Sequence, residues 1–427
     1  ELARIHPSTA PSGSTITLES ALLFAHASGA VVVEQAPINL GAPSDAGVTV
    51  GWSGETVDVN VATQRLPLAT ITGFVDGSMA FQLPNVSLFS MAAALGILPA
   101  KVGGSGTTAA PYHLITDGNE LAGSTEMALV VVAVAMDGSI VRAELWSVDF
   151  DYTGVSLPLA RGQVTAIGAR GVGSGGLFAS SAPGYTVSST NTPTKSHVFD
   201  ALTEVSVFAN TGTATTVASG GAAGTNTVTL AVGGVAAAGI VVGDFVKYDT
   251  GSKAEIHQVH SISGDVLTNR TNFLRSQAAA TAVSRQTKTA FAGVSQAGAT
   301  LSFGGAIETL RIATSRPSIG IRPGNATITL ALSNIEISLA NLAYGLGIPQ
   351  ADVSGGRLKV RDNIATATVD GFYVSGTTVG AGTFYTILTG CSFELSGWEV
   401  VLNNAGEPTQ APLTIRPSSA LLMVLQP

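Results

Sequence analysis

An internal repeat constrains the fold of this chain more than any other feature of its sequence. Residues 1–32 and 252–283, aligned without a gap at an offset of 251, are identical at nine of thirty-two positions. Further landmarks recur in the same order at offsets of 249 to 254: Ala62-Thr63-x-Arg65 and Ala313-Thr314-x-Arg316, Leu83-x-Asn85 and Leu332-x-Asn334, Leu95-Gly96-Ile97 and Leu346-Gly347-Ile348, Glu144-Leu145 and Glu394-Leu395, Trp146 and Trp398, and Pro158-Leu159 and Pro412-Leu413. The repeat predicts two copies of one domain.

Alternating residues within each copy indicate a mainly β fold. ETVDVNVA (55–62) alternates strictly between apolar and polar residues. WSVDFDY (146–152) does the same, with Trp146, Val148, Phe150 and Tyr152 predicted toward a core and Ser147, Asp149 and Asp151 toward water. WEVVLNN (398–404) repeats this pattern in the second copy. Each copy is therefore predicted to be an antiparallel β-sandwich of two sheets, flanked by one short helix.

One apolar strand breaks this alternation. The Val-rich segment 128–135 is followed by Asp137-Gly138, which predicts a strand that enters a hairpin. Because the strand has no polar face, we expect it to be covered on both sides, on one of them by a neighbouring subunit.

Each copy also contains a strand that passes into a short helix. The segments LPNVSLFSMAAALGI (83–97) and LSNIEISLANLAYGLGI (332–348) begin with alternating apolar residues and continue with Leu and Ala at helical spacing. They end at Gly96 and Gly347, where a C-terminal capping glycine is expected. A strand followed by a helix that ends in Leu-Gly resembles the middle of the tail tube proteins of long-tailed bacteriophages, and the duplication strengthens that resemblance.

The chain divides into four predicted segments. Residues 1–168 form a first tail-tube-like domain, 169–212 a Gly/Ser/Thr-rich linker, 213–284 a small inserted β-barrel module, and 285–427 a second tail-tube-like domain. The module resembles small barrels that are common in phage structural proteins. Because its second half matches residues 1–17, we expect the front strands of the first copy to precede Glu1 or to come from a neighbouring subunit.

Composition excludes several classes of function. Charged residues make up 11% of the chain, against roughly 25% in ordinary globular proteins, so we expect copies of the chain to cover one another's surfaces. A net charge of -8 argues against a dedicated nucleic-acid binder. The single cysteine, Cys391, excludes an intrachain disulfide and is predicted to be a small buried residue. No apolar run approaches the ~18 residues of a membrane helix, and no signal peptide is visible.

The motifs that could carry chemistry favour structural interpretations. Gly171-Val-Gly173-Ser-Gly-Gly176 matches GxGxxG, but no helix is predicted after it, so it is interpreted as linker. His6, His257 and His260 have no carboxylate or cysteine at ligand spacing beside them. Glu144, Asp149 and Asp151 lack an aromatic-lined cleft for sugar hydrolysis and a glycine-bounded acidic loop for a cation. We therefore predict no catalytic residue, cofactor or metal, and no enzyme.

The resemblance implies a structural protein of the virion. Six tail-tube domains form a ring whose inner strands close into one wide barrel, and the rings stack into a tube that conducts DNA. A chain with two such domains would close the ring as a trimer of pseudo-sixfold symmetry. An acidic or neutral lining would not bind the phosphates of passing duplex DNA. By strand parity the candidates for lumen-facing acids are Asp58, Asp149, Asp151 and Glu399, with the exterior of the tube as the alternative.

Contacts between subunits and rings are expected from helices 87–96 and 338–347 and from the loops after Arg65 and Arg316. The candidate residues are Leu88, Phe89, Met91, Leu339, Leu342, Tyr344, Arg65 and Arg316, with core packing as the alternative. The expected partners are further copies of the chain, a tape measure protein, and tail terminator or tip proteins. The expected location is the phage tail, assembled in the host cytoplasm without a membrane.

Two other classes remain open. A secreted adhesin or surface-layer β-sandwich protein would also explain the low charge and the short strands, although it requires neither the strand-to-helix segment in both copies nor the absence of a signal peptide. A capsid decoration protein is less favoured, because its single-domain function does not require a repeat.

Overall fold

The structure, a computed structural model, describes most of the 427-residue chain. The described residues are 47–59, 69–83, 87–119, 128–134, 140–152, 155–159, 167–181, 199–291, 298–310, 320–336, 353–354, 357–358, 368–378, 382–394 and 410–426, with the separate positions 12, 15–18, 27, 28, 30, 32, 40 and 343. Within these ranges the fold is mainly β, as the sequence predicts.

The strands are, in chain order, β1 (Val48–Val59), β2 (Ala69–Leu83), β3 (Tyr112–Thr116), β4 (Leu129–Val134), β5 (Ile140–Phe150), β6 (Ser156–Leu159), β7 (Ile167–Ser181), β8 (Phe199–Asn210), β9 (Thr215–Gly220), β10 (Thr227–Leu230), β11 (Phe245–Tyr248), β12 (Glu255–Ser263), β13 (Val266–Asn269), β14 (Ala282–Ala290), β15 (Ala299–Leu310), β16 (Gly320–Glu336), β17 (Val353–Ser354), β18 (Arg357–Leu358), β19 (Thr368–Thr378), β20 (Thr383–Glu394) and β21 (Gln410–Gln426). The helices are α1 (Leu88–Ala94) and α2 (Gly234–Ala238), with short 3-10 turns at Pro99–Lys101 and Gly251–Lys253.

A five-stranded antiparallel sheet has the same strand order as five consecutive strands of a large, fourteen-stranded antiparallel sheet that also includes the strands of the inserted module. The first sheet is β1-β2-β7-β5-β4, and the five strands of the large sheet, called the second sheet below, are β15-β16-β21-β20-β19. Three further strands extend the second sheet: β6 pairs with β15, β8 with β19, and β3 with β21. One apolar core contains residues of both sheets. The described part of each copy thus contributes one main sheet, where the sequence predicted two sheets per copy.

The pairing register is also the same in the two sheets. Val48 pairs with Phe81, and the residues 251 positions further on, Ala299 and Leu332, pair with each other. The irregularity between Gly54 and Thr56 recurs between Gly305 and Ile307, at the same offset. The first two strands of the two sheets therefore correspond residue by residue.

The later strands correspond at a smaller offset than the sequence landmarks suggested. An irregularity between Trp146 and Val148 in β5 recurs between Thr389 and Cys391 in β20, an offset of 243. Trp146 thus corresponds to Thr389 and not to Trp398. The landmarks at Glu394, Trp398 and Pro412 were wrongly paired, because the connection from β16 to β19 is eight residues shorter than the one from β2 to β4 and the offset falls from 251 to 243. Leu332 was also wrongly paired with Leu83, since at the offset of 251 it corresponds to Phe81.

The inserted module is a closed barrel of six strands. Its order is β11-β12-β13-β10-β9-β14, and β14 pairs back with β11. Val217, Val228, Tyr248, Leu267 and Phe273 are among the buried residues of a separate apolar core inside it. The barrel predicted at 213–284 is present, and its last strand continues past residue 284 to pair with β8.

The predicted linker contains strands. β7 and β8 cover 167–181 and 199–210, so the Gly-rich tract 171–176 lies in a central strand between β2 and β5. Gly173 pairs with Gly77, and Gly176 pairs with Trp146. Composition misled the prediction because ladder hydrogen bonds on both sides of this strand outweigh the low strand preference of glycine.

Local sequence determines both ends of α1. The Ser87 hydroxyl accepts a hydrogen bond from the Ser90 N–H at 3.1 Å. At the other end Gly96 has φ of 73°, and the Ile97 N–H donates to the Ala92 carbonyl at 2.8 Å. The predicted capping glycine is confirmed in the first copy, and the helix lies within the predicted range 87–96. In the second copy Ala343 is described as helical, and the rest of 338–347 lies outside the described residues.

Replacing Gly96 with alanine should lower the free energy of unfolding by about 1 to 2 kcal/mol, because an L side chain is strained at positive φ. Gly96→Asn should cost less, since asparagine tolerates this conformation. Urea unfolding of both variants measures the difference. Equal losses for Ala and Asn would contradict the capping role.

Candidate functional site

The predicted lumen-facing acids have different environments. Asp149 is only 2% exposed, so the expectation that it faces water is wrong. The reason is that β5 is buried on both faces: Leu145 shares one face with Asp149, and Val148 lies on the other. Asp151, just after β5, is half-buried, and its lumen position stays a prediction. Asp58 lies on β1 with its side chain outside the described part, and Glu399 lies wholly outside it.

The predicted interface residues of α1 belong largely to the core. Leu88 and Met91 are buried within the chain, so they pack inside it rather than against a neighbour. Phe89 is half-buried and meets the Tyr112 ring edge-on at 5.5 Å between centroids. Leu339, Leu342, Tyr344, Arg65 and Arg316 lie outside the described residues, and their roles stay predictions.

Polar contacts that the sequence did not suggest join the barrel to the second sheet. The Arg275 guanidinium pairs with Asp117, just after β3, at 2.6 Å. Arg270 donates to the Thr108 carbonyl at 2.7 Å, and the Lys247 ammonium pairs with Asp370 on β19. These contacts set the orientation of the barrel against the second sheet.

A buried carboxyl group organises the barrel loop beside this junction. Glu255 is fully buried, and its two oxygens accept from the N–H groups of Leu274 and Arg275, both at 2.9 Å. Nε2 of His257 lies 3.1 Å from the same carboxyl group, and Nδ1 of His257 lies 2.7 Å from the Thr271 hydroxyl. The arrangement fixes the loop 271–277. The statement that His257 has no carboxylate beside it was wrong, because Glu255, two residues earlier on the same strand, lies in hydrogen-bonding distance.

His113 joins β3 to the same loop. Its Nε2 accepts from the Asn272 N–H at 2.9 Å, and its Nδ1 lies 2.9 Å from the Pro111 carbonyl. Since a carbonyl can only accept, Nδ1 carries the proton and the ring is neutral. Burial lowers the pKa of His113, and the nearby His257 adds to this effect against the opposing bond to Pro111. The sequence analysis did not single out His113.

The outer edges of the first sheet are open among the described residues. β1 and β4 are its edge strands, whereas the corresponding strands β15 and β19 are covered by β6 and β8. Val132 on β4 is 38% exposed. The sequence analysis expected both faces of β4 to be covered, one of them by a neighbouring subunit. The described part of this chain leaves Val132 partly exposed and so does not supply that cover. A sheet edge with free main-chain groups is a ready template for another strand.

The described residues contain no group of three or more potential ligands that could hold a metal ion. The GxGxxG tract lies within β7, which continues as a strand to Ser181. Cys391 is buried, as predicted, and burial raises the pKa of its thiol.

None of the described helices has the length and apolar character needed to cross a bilayer. A comparison of the chain with known families and with curated proteins finds no family model and no protein that matches it.

Proposed function

We propose that this protein is the structural subunit of a phage tail tube, built from two tail-tube-like domains in one chain. Three chains close a ring of six domains, and rings stack into a hollow tube. The observation that carries the proposal is the common strand order and register of the two sheets, together with the β6–β15 pairing that joins the first copy to the edge of the second. A repeated domain joined edge to edge is the arrangement from which a closed ring can grow.

The charge of the chain supports a passive conduit for DNA. With a net charge of -8 and a pI near 5.2, the subunit repels the phosphate backbone weakly over about a Debye length. DNA therefore slides without binding. A tape measure protein inside the tube and tail terminator or tip proteins at its ends are the further proposed partners.

Electron microscopy of the purified protein tests the proposal. We expect threefold rings or uniform hollow rods in negative stain, and a particle mass in light scattering that is a multiple of three chains. Monomers at every concentration tested would contradict the tube, and would favour the alternative of an adhesin or surface-layer protein.

A further inference from the structure

One end of the inserted barrel presents an apolar surface to solvent. Residues 231–243 carry no polar side chain over thirteen consecutive positions. Val232 is 100% exposed, and Val241 and Val242 are 55% and 59% exposed. We call this surface the apolar end; its exposed side chains are Val232, Ala236, Ala237, Val241 and Val242. Exposed apolar side chains that lie together mark a contact site, whereas isolated ones are ordinary.

The path of the chain brings these residues together. β10 and β11 lie three steps apart in the closed barrel, and neighbouring strands are antiparallel, so the two run in opposite directions. The segment that joins them, with α2 at its centre, therefore crosses one end of the barrel. Val235, Ala238 and Ile240 from this segment are buried in the barrel core. The remaining side chains of the segment face outward as one surface.

Hydrogen bonds hold the apolar end in one conformation. The Asp265 carboxylate accepts from the Gly233 N–H at 2.9 Å. The Asp244 carboxylate accepts from the Val241 N–H at 2.9 Å and pairs with the Arg285 guanidinium at 2.8 Å. A surface that is already ordered loses little conformational entropy when it is covered.

Charge decides which partner can cover the apolar end. The chain has a net charge of -8, so two copies repel each other where their charged surfaces meet. The apolar end has no charged side chain, and Asp244 and Asp265 beside it are engaged within the chain. Two copies can meet here without setting unpaired carboxylates against each other. An anionic lipid surface or a nucleic acid would require lysine or arginine at this place.

The residue types also favour a second copy over a different protein. Side chains no larger than valine provide none of the aromatic or arginine anchors that dominate contacts between different proteins. In a two-fold contact each residue is used twice, once from each copy, so small apolar side chains bury twice their own surface.

We propose that the apolar end joins two copies of this chain, each presenting the same residues to the other around a two-fold axis. The contact goes beyond the proposed tube and does not depend on it. Because a threefold ring contains no two-fold axis, the contact joins chains of different rings. The other end of the barrel is occupied within the chain, since the loop 271–277 there binds His113 and Asp117.

Disulfide cross-linking tests the contact directly. The single cysteine of the chain, Cys391, is buried, so an added thiol on the surface reports its own surroundings. Among Val232→Cys, Val241→Cys and Val242→Cys, at least one should form at least about tenfold more covalent dimer than Ala279→Cys when oxidised with copper phenanthroline in air. Ala279 is the matched control, because it is exposed at the other end of the same barrel. No excess over this control in any of the three variants would overturn the inference.

A charge exchange at Val232 tests the two-fold geometry. Because Val232 is wholly exposed, its replacement leaves the core of the barrel intact. Val232→Glu and Val232→Lys should each raise the concentration for half pairing at least about tenfold, since like charges then face each other. An equimolar mixture of the two should pair again, and Ala279→Glu should pair like the unchanged protein. Sedimentation velocity measures the doubled species, which is a dimer or, where rings form, a pair of rings. Pairing that neither substitution weakens would contradict the proposal.

The outcomes separate this inference from the proposed function. Rings that form while no cysteine variant cross-links would refute the paired barrel ends and leave the tube intact. Cross-linked dimers without rings would support the pairing and refute the tube. An unpaired chain that sediments with phosphatidylcholine vesicles, and loses this binding in Val232→Glu, would overturn the pairing and assign the apolar end to a lipid surface.

Discussion

Glu255→Ala should lower the free energy of unfolding of the barrel by about 2 to 4 kcal/mol, because each hydrogen-bonding group that loses its buried partner costs roughly 1 to 3 kcal/mol. The carboxyl group of Glu255 is fully buried and accepts from the N–H groups of Leu274 and Arg275. Alanine leaves the N–H groups of these two half-buried residues without this acceptor and removes the group that faces His257. Urea unfolding followed by circular dichroism measures the loss.

Glu204→Ala is the matched control. Glu204 also pairs with a basic side chain, Lys288, at 2.8 Å, but both side chains are about one-third exposed. Its removal should cost about 1 kcal/mol or less. A loss for Glu255→Ala no greater than for Glu204→Ala would contradict the assignment of Glu255 as the centre of the loop 271–277.

Local patterns in the sequence predicted the features that depend on near neighbours. The capping glycine of α1, the presence of strands β1 and β5, the hairpin after β4, the closed barrel and the burial of Cys391 all follow from spacing and residue type. Each depends on interactions within a few residues or within one supersecondary unit, which is the range that periodicity reports.

The errors arose where distant parts of the chain decide the outcome. Gly171 and its neighbours form a strand because β2 and β5 flank them, and Asp149 is buried because both faces of β5 are covered. The landmarks at Glu394, Trp398 and Pro412 were misaligned because matches of one or two residues cannot reveal that a connection is eight residues shorter in the second copy.

Acidification should loosen the junction between β3 and the barrel, through His113. Its folded-state pKa lies below the ordinary value of 6.5, chiefly because burial disfavours the charged ring. The unfolded chain therefore binds more protons than the folded chain around this pH. The stabilising contribution is complete above pH 6.5 and is lost as the pH falls through the folded-state pKa.

Asp117 and His257 are the neighbouring groups whose effect on this pH dependence can be stated. Burial raises the pKa of Asp117, but the Asn119 N–H and the Arg275 guanidinium outweigh it, so the pKa lies below its ordinary value of 3.8. Its contribution is therefore lost only in stronger acid. The charge of His257, on β12 nearby, would oppose protonation of His113. A comparison of pH 7.5 with pH 5 thus leaves out the contribution of Asp117.

Two substitutions test this pH dependence. His113→Ala should cost about 1 to 3 kcal/mol at pH 7.5, because the Asn272 N–H loses its buried acceptor, and it should reduce the further loss of stability between pH 7.5 and pH 5. His260→Ala, which replaces a half-buried histidine on β12, should keep the full pH dependence. Urea unfolding at a fixed protein concentration is the measurement, since assembly raises apparent stability. Protonation of Nε2 in His113 would break the hydrogen bond from the Asn272 N–H, so the folded state is expected to require the neutral ring. An unchanged pH dependence in His113→Ala would contradict that requirement.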